Sequence, residues 1–109
     1  MPMLKGKTAY FVVKAEYFRT IASGEKTSEF RQASPFWIDR LDDSVTEAVF
    51  QLGYGTGGKP PPRMRFMVTG LAIHDTIHNR VIPYPKSTKE IPKGFRSCLF
   101  EVKFGKRLE

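Results

Sequence analysis

Cysteine is almost missing from this sequence of 109 residues, because Cys98 is its single example. One cysteine cannot form a disulfide within the chain, and it cannot supply a cysteine-based metal cluster. We therefore expect no metal site and no cofactor. The lack of disulfides also fits a cytoplasmic protein.

Long apolar runs are missing as well. No stretch approaches the roughly 18 residues that a membrane-spanning helix needs, and the charged N-terminus is not followed by the apolar segment of a signal peptide. We expect no membrane partner. The length suits one domain over residues 1–109, and Leu108–Glu109 is interpreted as a remnant of an expression tag.

Acidic residues are scarce in the middle of the chain. None lies between Glu47 and Asp75, whereas Lys59, Arg63 and Arg65 fall in that stretch. The formal net charge is +7, which favours binding to polyanions through the release of counterions from phosphates. The alternative is a surface charged only for solubility.

Aromatic residues, in contrast, are abundant: nine Phe, four Tyr and one Trp. Their patterns predict a helix from Ala15 that ends at Gly24, and a second short helix that begins at Ser34–Pro35. Strands are predicted at residues 8–13, 45–52, 66–73 and 97–104. A brief strand is also predicted to follow the loop that begins at Lys26 and to reach Arg31, and residues 77–82 are predicted to pair with the strand at 66–73. The predicted fold is α+β: a small β-barrel of five or six strands, with two short helices near the N-terminal half.

Two further expectations concern which side chains are buried. The segment Phe66–Ile73 is apolar at nearly every position, which predicts a central strand covered on both faces. Cys98, Phe100, Val102 and Phe104 alternate along the last strand and are predicted to face the core. Cys98 is then a buried, inert thiol.

The glycine-rich segment Gly53–Lys59 has the spacing of a phosphate-binding P-loop up to its lysine. The next position must supply a hydroxyl to magnesium, but it is Pro60. Two more prolines follow, and they oppose the helix that such a loop requires. We interpret 53–62 as a flexible basic loop.

His74 and His78 are four residues apart, a spacing that can hold a metal on a helix. Their surroundings are typical of the end of a strand and a turn. They are therefore predicted to be turn residues with solvated imidazoles.

The most informative segment is Gly24–Arg31. On the strand that follows the first helix, Glu29 and Arg31 share one side, and Phe30 is predicted to point into the core. Lys26 lies in the connecting loop beside them. Two cations around one carboxylate can hold a phosphate and recognise the edge of a base. A plain ion pair that fixes the loop is the alternative.

This segment resembles the ASCH family, a branch of the PUA-like superfamily. The resemblance rests on Lys14, Tyr17–Phe18, Ile21 and the pattern Gly24-x-Lys26-x-x-Glu29-x-Arg31. Pro35-Phe36-Trp37, Arg40–Leu41 and the run from Phe50 to Gly53-Tyr54-Gly55 are similar to a bacterial and phage subgroup. The match is strongest over residues 14–54 and thin beyond Arg65.

The resemblance implies a PUA-like barrel with a cleft beside its helices that binds RNA or a nucleotide-like ligand. The matched cleft residues are Lys26, Glu29 and Arg31, and the candidate cleft-wall residues are Trp37, Arg40 and Tyr54. Trp37 has core packing as its alternative, and Tyr54 has packing within its loop. Further phosphate contacts are expected from Lys59, Arg63 and Arg65.

Two other functions stay open. One ASCH branch hydrolyses acetylcytidine with a lysine, a threonine hydroxyl and a glutamate, and a ribonuclease activity has also been linked to the family. Lys26 matches the lysine, so Lys26 and Glu29 are the catalytic candidates if the protein is an enzyme. Glu29 occupies the hydroxyl position, however; Thr27 or Ser28 would have to supply the hydroxyl, and Glu90 or Glu101 the carboxylate. A protein-interaction domain is the third possibility.

Overall fold

The structure is a computed structural model that describes residues 6–82 and 98–109. They form six strands and two helices. In chain order these are β1 (Lys7–Val13), α1 (Ala15–Ser23), β2 (Ser28–Gln32), α2 (Pro35–Ile38), β3 (Val45–Leu52), β4 (Arg63–Asp75), β5 (Arg80–Ile82) and β6 (Cys98–Arg107).

All six strands belong to one sheet that curls into a half-barrel. The strand order is β1-β3-β4-β6-β2, and β5 pairs with β4 off this path. β1 and β3 run parallel, while the other pairs are antiparallel. β1 and β2 are the two edges of the path, and Arg31 on β2 donates a hydrogen bond from Nη2 to the carbonyl oxygen of Val12 on β1, at 3.3 Å. We call this open side of the half-barrel, between β1 and β2, the seam.

Phenylalanine rings from several strands fill the inside of the curl. Phe11, Phe50 and Phe100 are at most 1% exposed, and Phe50 stacks on Phe11 with ring centroids 5.4 Å apart. The alternation predicted for β6 is confirmed, since Cys98, Phe100, Val102 and Phe104 are all buried. The burial of these apolar side chains is thus the main interaction that stabilises the curl and keeps the two edges of the sheet close enough to face each other.

Both predicted helices are present, and their ends have the predicted residues. Gly24 follows α1 with φ of 84°, a left-handed conformation that glycine adopts without steric cost. The Ser34 hydroxyl accepts a hydrogen bond from the Trp37 amide and caps α2. The second helix is a single turn, and Leu41 lies beyond it but is fully buried.

The prediction that β4 is covered on both faces is wrong. Met67 is 47% exposed and Thr69 is exposed as well, while Phe66 and Ile73 face the core. β4 is central in the strand order, but the sheet is a single curled layer whose outer face meets solvent. Apolar composition alone does not distinguish this arrangement from a sheet covered on both sides.

The segments after β3 and β4 follow the predictions more closely. Residues 53–62 contain turns and no helix, so the interpretation as a loop rather than a P-loop is confirmed. The pairing back on β4 is shorter than predicted: only Arg80–Ile82 forms β5, and Ile77 lies in the preceding turn. Ser97 and the proline-containing basic segment before it lie outside the described residues. Among the residues described, no helix is long and apolar enough to cross a membrane.

Candidate functional site

A buried carboxylate lies at the seam, between two cations. Glu29 is 5% exposed; its Oε1 accepts a hydrogen bond from Lys26 Nζ and its Oε2 accepts one from Arg31 Nη2, both at 2.7 Å. The side chains of Lys26 and Arg31 are 24% and 26% exposed. The structure therefore brings together the three residues of the Gly-x-Lys-x-x-Glu-x-Arg pattern, in a cluster that carries one net positive charge.

Phe30 does not point into the core, contrary to the sequence prediction. It is 48% exposed and lies on the outer face of the sheet, where its ring centroid is 5.8 Å from that of His74. Glu29 and Arg31 occupy the inward side of β2 instead. An edge strand next to the seam can place a carboxylate inward because Lys26 and Arg31 neutralise it there.

Arg31 is held by aromatic rings as well as by Glu29. Its guanidinium carbon lies 5.3 Å from the ring centroid of Phe11 and 5.2 Å from that of Trp37, and Trp37 itself stacks on Phe11 at 5.1 Å. With the hydrogen bond to the Val12 carbonyl, these contacts fix the orientation of the side chain. Arg31 thus closes the seam rather than extending freely into solvent.

The cluster forms one wall of an open groove with a volume of about 420 Å³, which we call the first groove. Its other walls include Lys14 and Tyr17, and Lys26 Nζ lies 4.7 Å from the centroid of the Tyr17 ring. Lys14 is exposed, and no ion pair engages its ammonium group within residues 6–82 and 98–109. A solvated lysine at the mouth of a groove can contact an anion at little desolvation cost.

A second groove, with a volume of about 530 Å³, continues from the first. The two share four lining residues: Val12, Val13, Lys14 and Arg31. The second groove adds aromatic side chains from three elements: Tyr10, Phe36, Trp37 and Tyr54.

Tyr54 and Trp37 occupy different depths of the second groove. Tyr54 is 84% exposed, so it is not packed within its loop. Trp37 is partly buried. It packs against the core and also lines the groove, so it has both of the positions predicted from the sequence. The groove therefore contains one ring that the core holds in place and one that is almost fully exposed to solvent.

The structure separates the other predicted basic residues from the Glu29 cluster. Arg40 stacks on the outside of Phe36, with its guanidinium carbon 3.5 Å from the ring centroid, and it lines neither groove. Arg63 and Arg65 line a smaller cavity of about 150 Å³ together with Tyr10 and Glu109. Lys59 lies in the loop before β4 and is not among the described residues that line either groove.

Sequence reasoning did not select Lys14, Tyr10 or Tyr17 as site residues. A signal was present, because Tyr10, Val12 and Lys14 alternate with the buried Ala9, Phe11 and Val13. Such period-two alternation places Tyr10 and Val12 on the outer face of β1, and Lys14 continues the pattern just beyond the strand. Because β1 is a sheet edge, that face borders the grooves, but edge position was not evident from the sequence.

A second polar cluster lies on the outer face of the sheet. Ser28 donates a hydrogen bond to Glu101 Oε2, and His74 Nε2 lies 2.7 Å from Glu101 Oε1. Burial raises the pKa of Glu101, but the hydrogen bonds from Ser28 and His74 and the charge of Lys103 outweigh it and leave the pKa below its usual value. The imidazole of His74 is therefore paired with a carboxylate, not merely solvated as predicted.

The turn after β4 is organised in the same way by Asp75. This carboxylate is 5% exposed; His78 Nδ1 lies 2.8 Å from its Oδ2, and Arg80 Nε donates to the same oxygen at 3.2 Å. Burial acts to raise the pKa of Asp75, but the hydrogen bonds from the side chain and backbone of His78 and from Arg80 lower it to about 2. His78 is thus also paired, in the turn where the sequence placed it.

The geometry of Cys98 agrees with the prediction of an inert thiol. The side chain is 1% exposed. Burial and the neighbouring Asp75 charge raise the pKa of the thiol, against a smaller opposing effect of Arg80. A thiol that is buried and protonated is a poor nucleophile.

Among the described residues, Thr27, Ser28 and Glu101, which were considered for the hydroxyl group and the second carboxylate, do not line the first groove. Ser28 and Glu101 bond to each other on the outer face, and Thr27 is exposed in the loop. Glu90 lies outside the described residues. Within the described part of the chain, Glu29 is the one carboxylate among the residues that line this groove.

Comparison with known proteins adds no assignment. No family model matches the chain, and no curated protein sequence matches it. Any function must therefore be argued from the grooves themselves.

Proposed function

We propose that this chain is a PUA-like domain of the ASCH type and that it binds RNA in the two grooves at the seam. The observation that carries the proposal is the continuity of the grooves: the cationic cluster around Glu29 and the exposed ring of Tyr54 line adjoining spaces. A nucleotide chain can use both spaces at once, with a phosphate against the cationic cluster and a base against Tyr54. The resemblance of residues 14–54 to the ASCH pattern supports the same conclusion.

Each side chain has a distinct role in this proposal. Lys14 and Lys26 contact phosphates, because their ammonium groups lie at the groove surface. Tyr54 stacks on a base, a contact worth about 1 to 3 kcal/mol. Arg31 is a positioning residue, since its guanidinium is already engaged by Glu29 and by two rings.

Glu29 recognises a base edge. Its two oxygens provide about four lone-pair sites, and one bond from Lys26 and one from Arg31 occupy two of them. The remaining sites can accept a hydrogen bond from a base N–H that enters the first groove, such as the imino group of uracil or an exocyclic amino group. The bonds from Lys26 and Arg31 hold the carboxylate in a fixed orientation for such a contact.

Binding without catalysis is favoured over hydrolysis. A hydrolase on the acetylcytidine pattern needs a hydroxyl and a second carboxylate near Lys26, and Ser28 and Glu101 are turned to the other face of the sheet. Lys26 is also paired with Glu29 at 2.7 Å, so its side-chain nitrogen is already engaged within the protein.

The test is a titration of a fluorescein-labelled oligouridine of about eight nucleotides, followed by anisotropy at several salt concentrations. We expect affinity to fall as salt rises, with a slope of about −0.7 for each phosphate contacted. Lys14→Ala should lower affinity and reduce the slope by about 0.7. Tyr54→Ala should lower affinity by about tenfold with the slope unchanged, since it removes stacking and no charge.

Lys103→Ala is the matched control. Lys103 is exposed on the outer face of β6, and its loss changes the net charge as much as the loss of Lys14. Equal effects of Lys14→Ala and Lys103→Ala would indicate attraction to overall charge and would contradict a site at the seam. Turnover of acetylcytidine by the wild-type protein would support the hydrolase instead.

A further inference from the structure

A third cavity adjoins the second groove. It is the small cavity of about 150 Å³ lined by Arg63 and Arg65, here called the arginine cavity. Tyr10 lines both the second groove and the arginine cavity, and it is 57% exposed. The three spaces therefore form a connected series with Lys26 at one end and Arg63 at the other.

Strand β1 forms the floor of this series. Lys14 and Val12 line the first and second grooves, and Tyr10 lines the second groove and the arginine cavity. Tyr10 and Val12 share the outer face of β1 because side chains alternate along a strand, and Lys14 follows directly after the strand with an extended backbone. At a rise of about 3.3 Å per residue, Tyr10 and Lys14 lie about 13 Å apart along the strand.

That distance is longer than the length of one nucleotide along an RNA strand. Stacked nucleotides advance about 3.4 Å each along a strand, so about 13 Å corresponds to about four of them. The arginine cavity lengthens the series across the sheet, because Arg65 lies two strands to the side of Tyr10, with Val49 between them. The exposed rings of Tyr10 and Tyr54 require unpaired bases, since the bases of a duplex are already stacked on each other.

We propose that the seam grooves and the arginine cavity form one track that follows β1 and then crosses β3 to β4, and that this track binds single-stranded RNA over several nucleotides, with Arg63 and Arg65 on β4 holding phosphates at its far end. The proposal rests on the RNA-binding function proposed above and adds to it the strandedness, the length and the second phosphate site of the ligand. It also gives Arg63 and Arg65 a role at the opposite end from Lys26.

The arginine cavity can accept a phosphate with little rearrangement. Arg63 is exposed and donates to the Gln51 side chain at 2.9 Å, which leaves part of its guanidinium free to donate elsewhere. Arg65 pairs with Glu47 at 3.3 Å and with Glu109 at 3.8 Å. The Glu109 side chain is 77% exposed, so an incoming phosphate displaces a weak, solvated partner.

The test compares two oligouridines, one of about two nucleotides and one of about eight, on either side of the length that reaches from Lys14 to Tyr10. Affinity for each is measured by calorimetry or by competition against a labelled RNA. Lys14→Ala should weaken binding of both lengths. Arg63→Ala should weaken only the longer RNA, by several-fold, and reduce its salt slope by about 0.7.

Two additional arms sharpen the result. Glu109→Gln removes one of the two side-chain carboxylates that pair with Arg65, the other being Glu47, so it should tighten the longer RNA and leave the shorter one unchanged. Lys103→Ala, on the outer face of β6, should not change the affinity for one RNA length more than for the other. A duplex RNA of the same length should compete poorly.

The outcomes separate this proposal from the one it rests on. If both RNAs bind at the seam but Arg63→Ala has the same effect on both lengths, or none on either, the track is contradicted and the proposed function stands. If the duplex competes as well as the single strand, the strandedness is contradicted. If neither RNA binds, both proposals fail.

Discussion

Glu29 is the residue on which the geometry of the seam depends. Its carboxylate is nearly buried and accepts one short hydrogen bond from Lys26 in the loop and one from Arg31 on β2. Arg31 in turn reaches across to the Val12 carbonyl on β1. Without the carboxylate, two partly buried cations would repel each other and the link across the seam would lose its anchor.

Replacing Glu29 with Gln tests this role directly. We expect Glu29→Gln to lower the free energy of unfolding by about 1 to 3 kcal/mol, because the amide oxygen can accept from only one of the two cations and the NH₂ group then opposes the other donor at a buried site. Urea denaturation followed by circular dichroism measures the change. The control is Glu47→Gln, whose partner Arg65 is 3.3 Å away and about as solvent-exposed as Glu47 itself; there the loss should stay below about 1 kcal/mol. Equal losses for the two variants would show that Glu29 is an ordinary surface partner.

Asp75 gives the turn after β4 a dependence on pH. Its pKa in the folded protein is about 2, below the ordinary value of about 3.9. A carboxylate with a lowered folded-state pKa contributes stability that is fully present above the unfolded-state pKa and is lost as pH falls through the folded-state pKa. The contribution therefore declines between about pH 5 and about pH 2.

Asp75→Asn isolates that contribution. At neutral pH the variant should be less stable than the wild type, and the difference should shrink as the pH is lowered toward about 2. Urea denaturation at a series of pH values measures it. A difference that stays constant down to that pH would show that the bonds to His78 and Arg80 do not depend on the charge of Asp75.

Individual residues also show where sequence reasoning reaches its limit. The spacing in 24–31 correctly placed Glu29 and Arg31 on one side of β2, because alternation is a local property of a strand. It did not reveal which side faces inward, since an apolar Phe30 between two charged residues suggests the opposite of what occurs. The answer depends on Lys26 and on the rings of Phe11 and Trp37, which are brought near only by the fold.

At the level of elements, local signals were sufficient wherever a helix end or a simple alternation defines the structure. Gly24 and Ser34 were recognised as helix-end residues and act as such, and β6 has the predicted inward face. The exposure of the outer face of β4 to solvent could not be predicted from such local signals. Whether its second face is covered depends on the number of layers in the fold, not on its own residues.

Gly24 provides a test at this level, because it ends α1 and starts the loop that carries Lys26. Its φ of 84° is costly for any residue with a side chain, yet a Cβ atom there would meet nothing within 4 Å. Gly24→Ala should therefore destabilise the protein by about 1 kcal/mol through backbone strain alone. Thermal or urea denaturation measures the change.

Gly70→Ala on β4 is the matched control for that substitution. Gly70 lacks a positive φ, and a Cβ atom there would lie 3.5 Å from the Lys103 side chain, an ordinary contact. We expect no loss of stability, or a small gain from the stiffer unfolded chain. A similar loss in both variants would mean that the left-handed conformation of Gly24 is not the cause.

At the scale of the whole molecule, the curl of the sheet creates the grooves. Sequence order places β1 and β2 next to each other along the chain, but the hydrogen-bonded path puts them at opposite ends of the sheet. They meet again only because the sheet curls into a half-barrel. A small barrel was the predicted architecture, and the half-barrel with six strands and two helices agrees with it at that level.

The net charge of +7 is likewise a property of the whole molecule, and it does not identify a site. Arg63, Arg65 and Lys59 lie in an acid-free stretch of sequence, but the fold places them away from the Glu29 cluster. Lys14 was not selected as a site residue from sequence, although it lines both grooves. Whether a basic residue lines a groove therefore depends on its position in the fold more than on the density of basic residues around it in the sequence.

The most direct test of RNA binding at the seam is a map of the contact surface by NMR. Backbone amide shifts of the ¹⁵N-labelled protein would be followed while an unlabelled oligouridine is added. We expect the largest changes at residues 10–17, at 26–32 and at Gly53 and Tyr54, with little change at Lys103 and its neighbours on the outer face of β6. Changes centred on that outer face, or none at saturating RNA, would contradict a nucleic-acid site between β1 and β2.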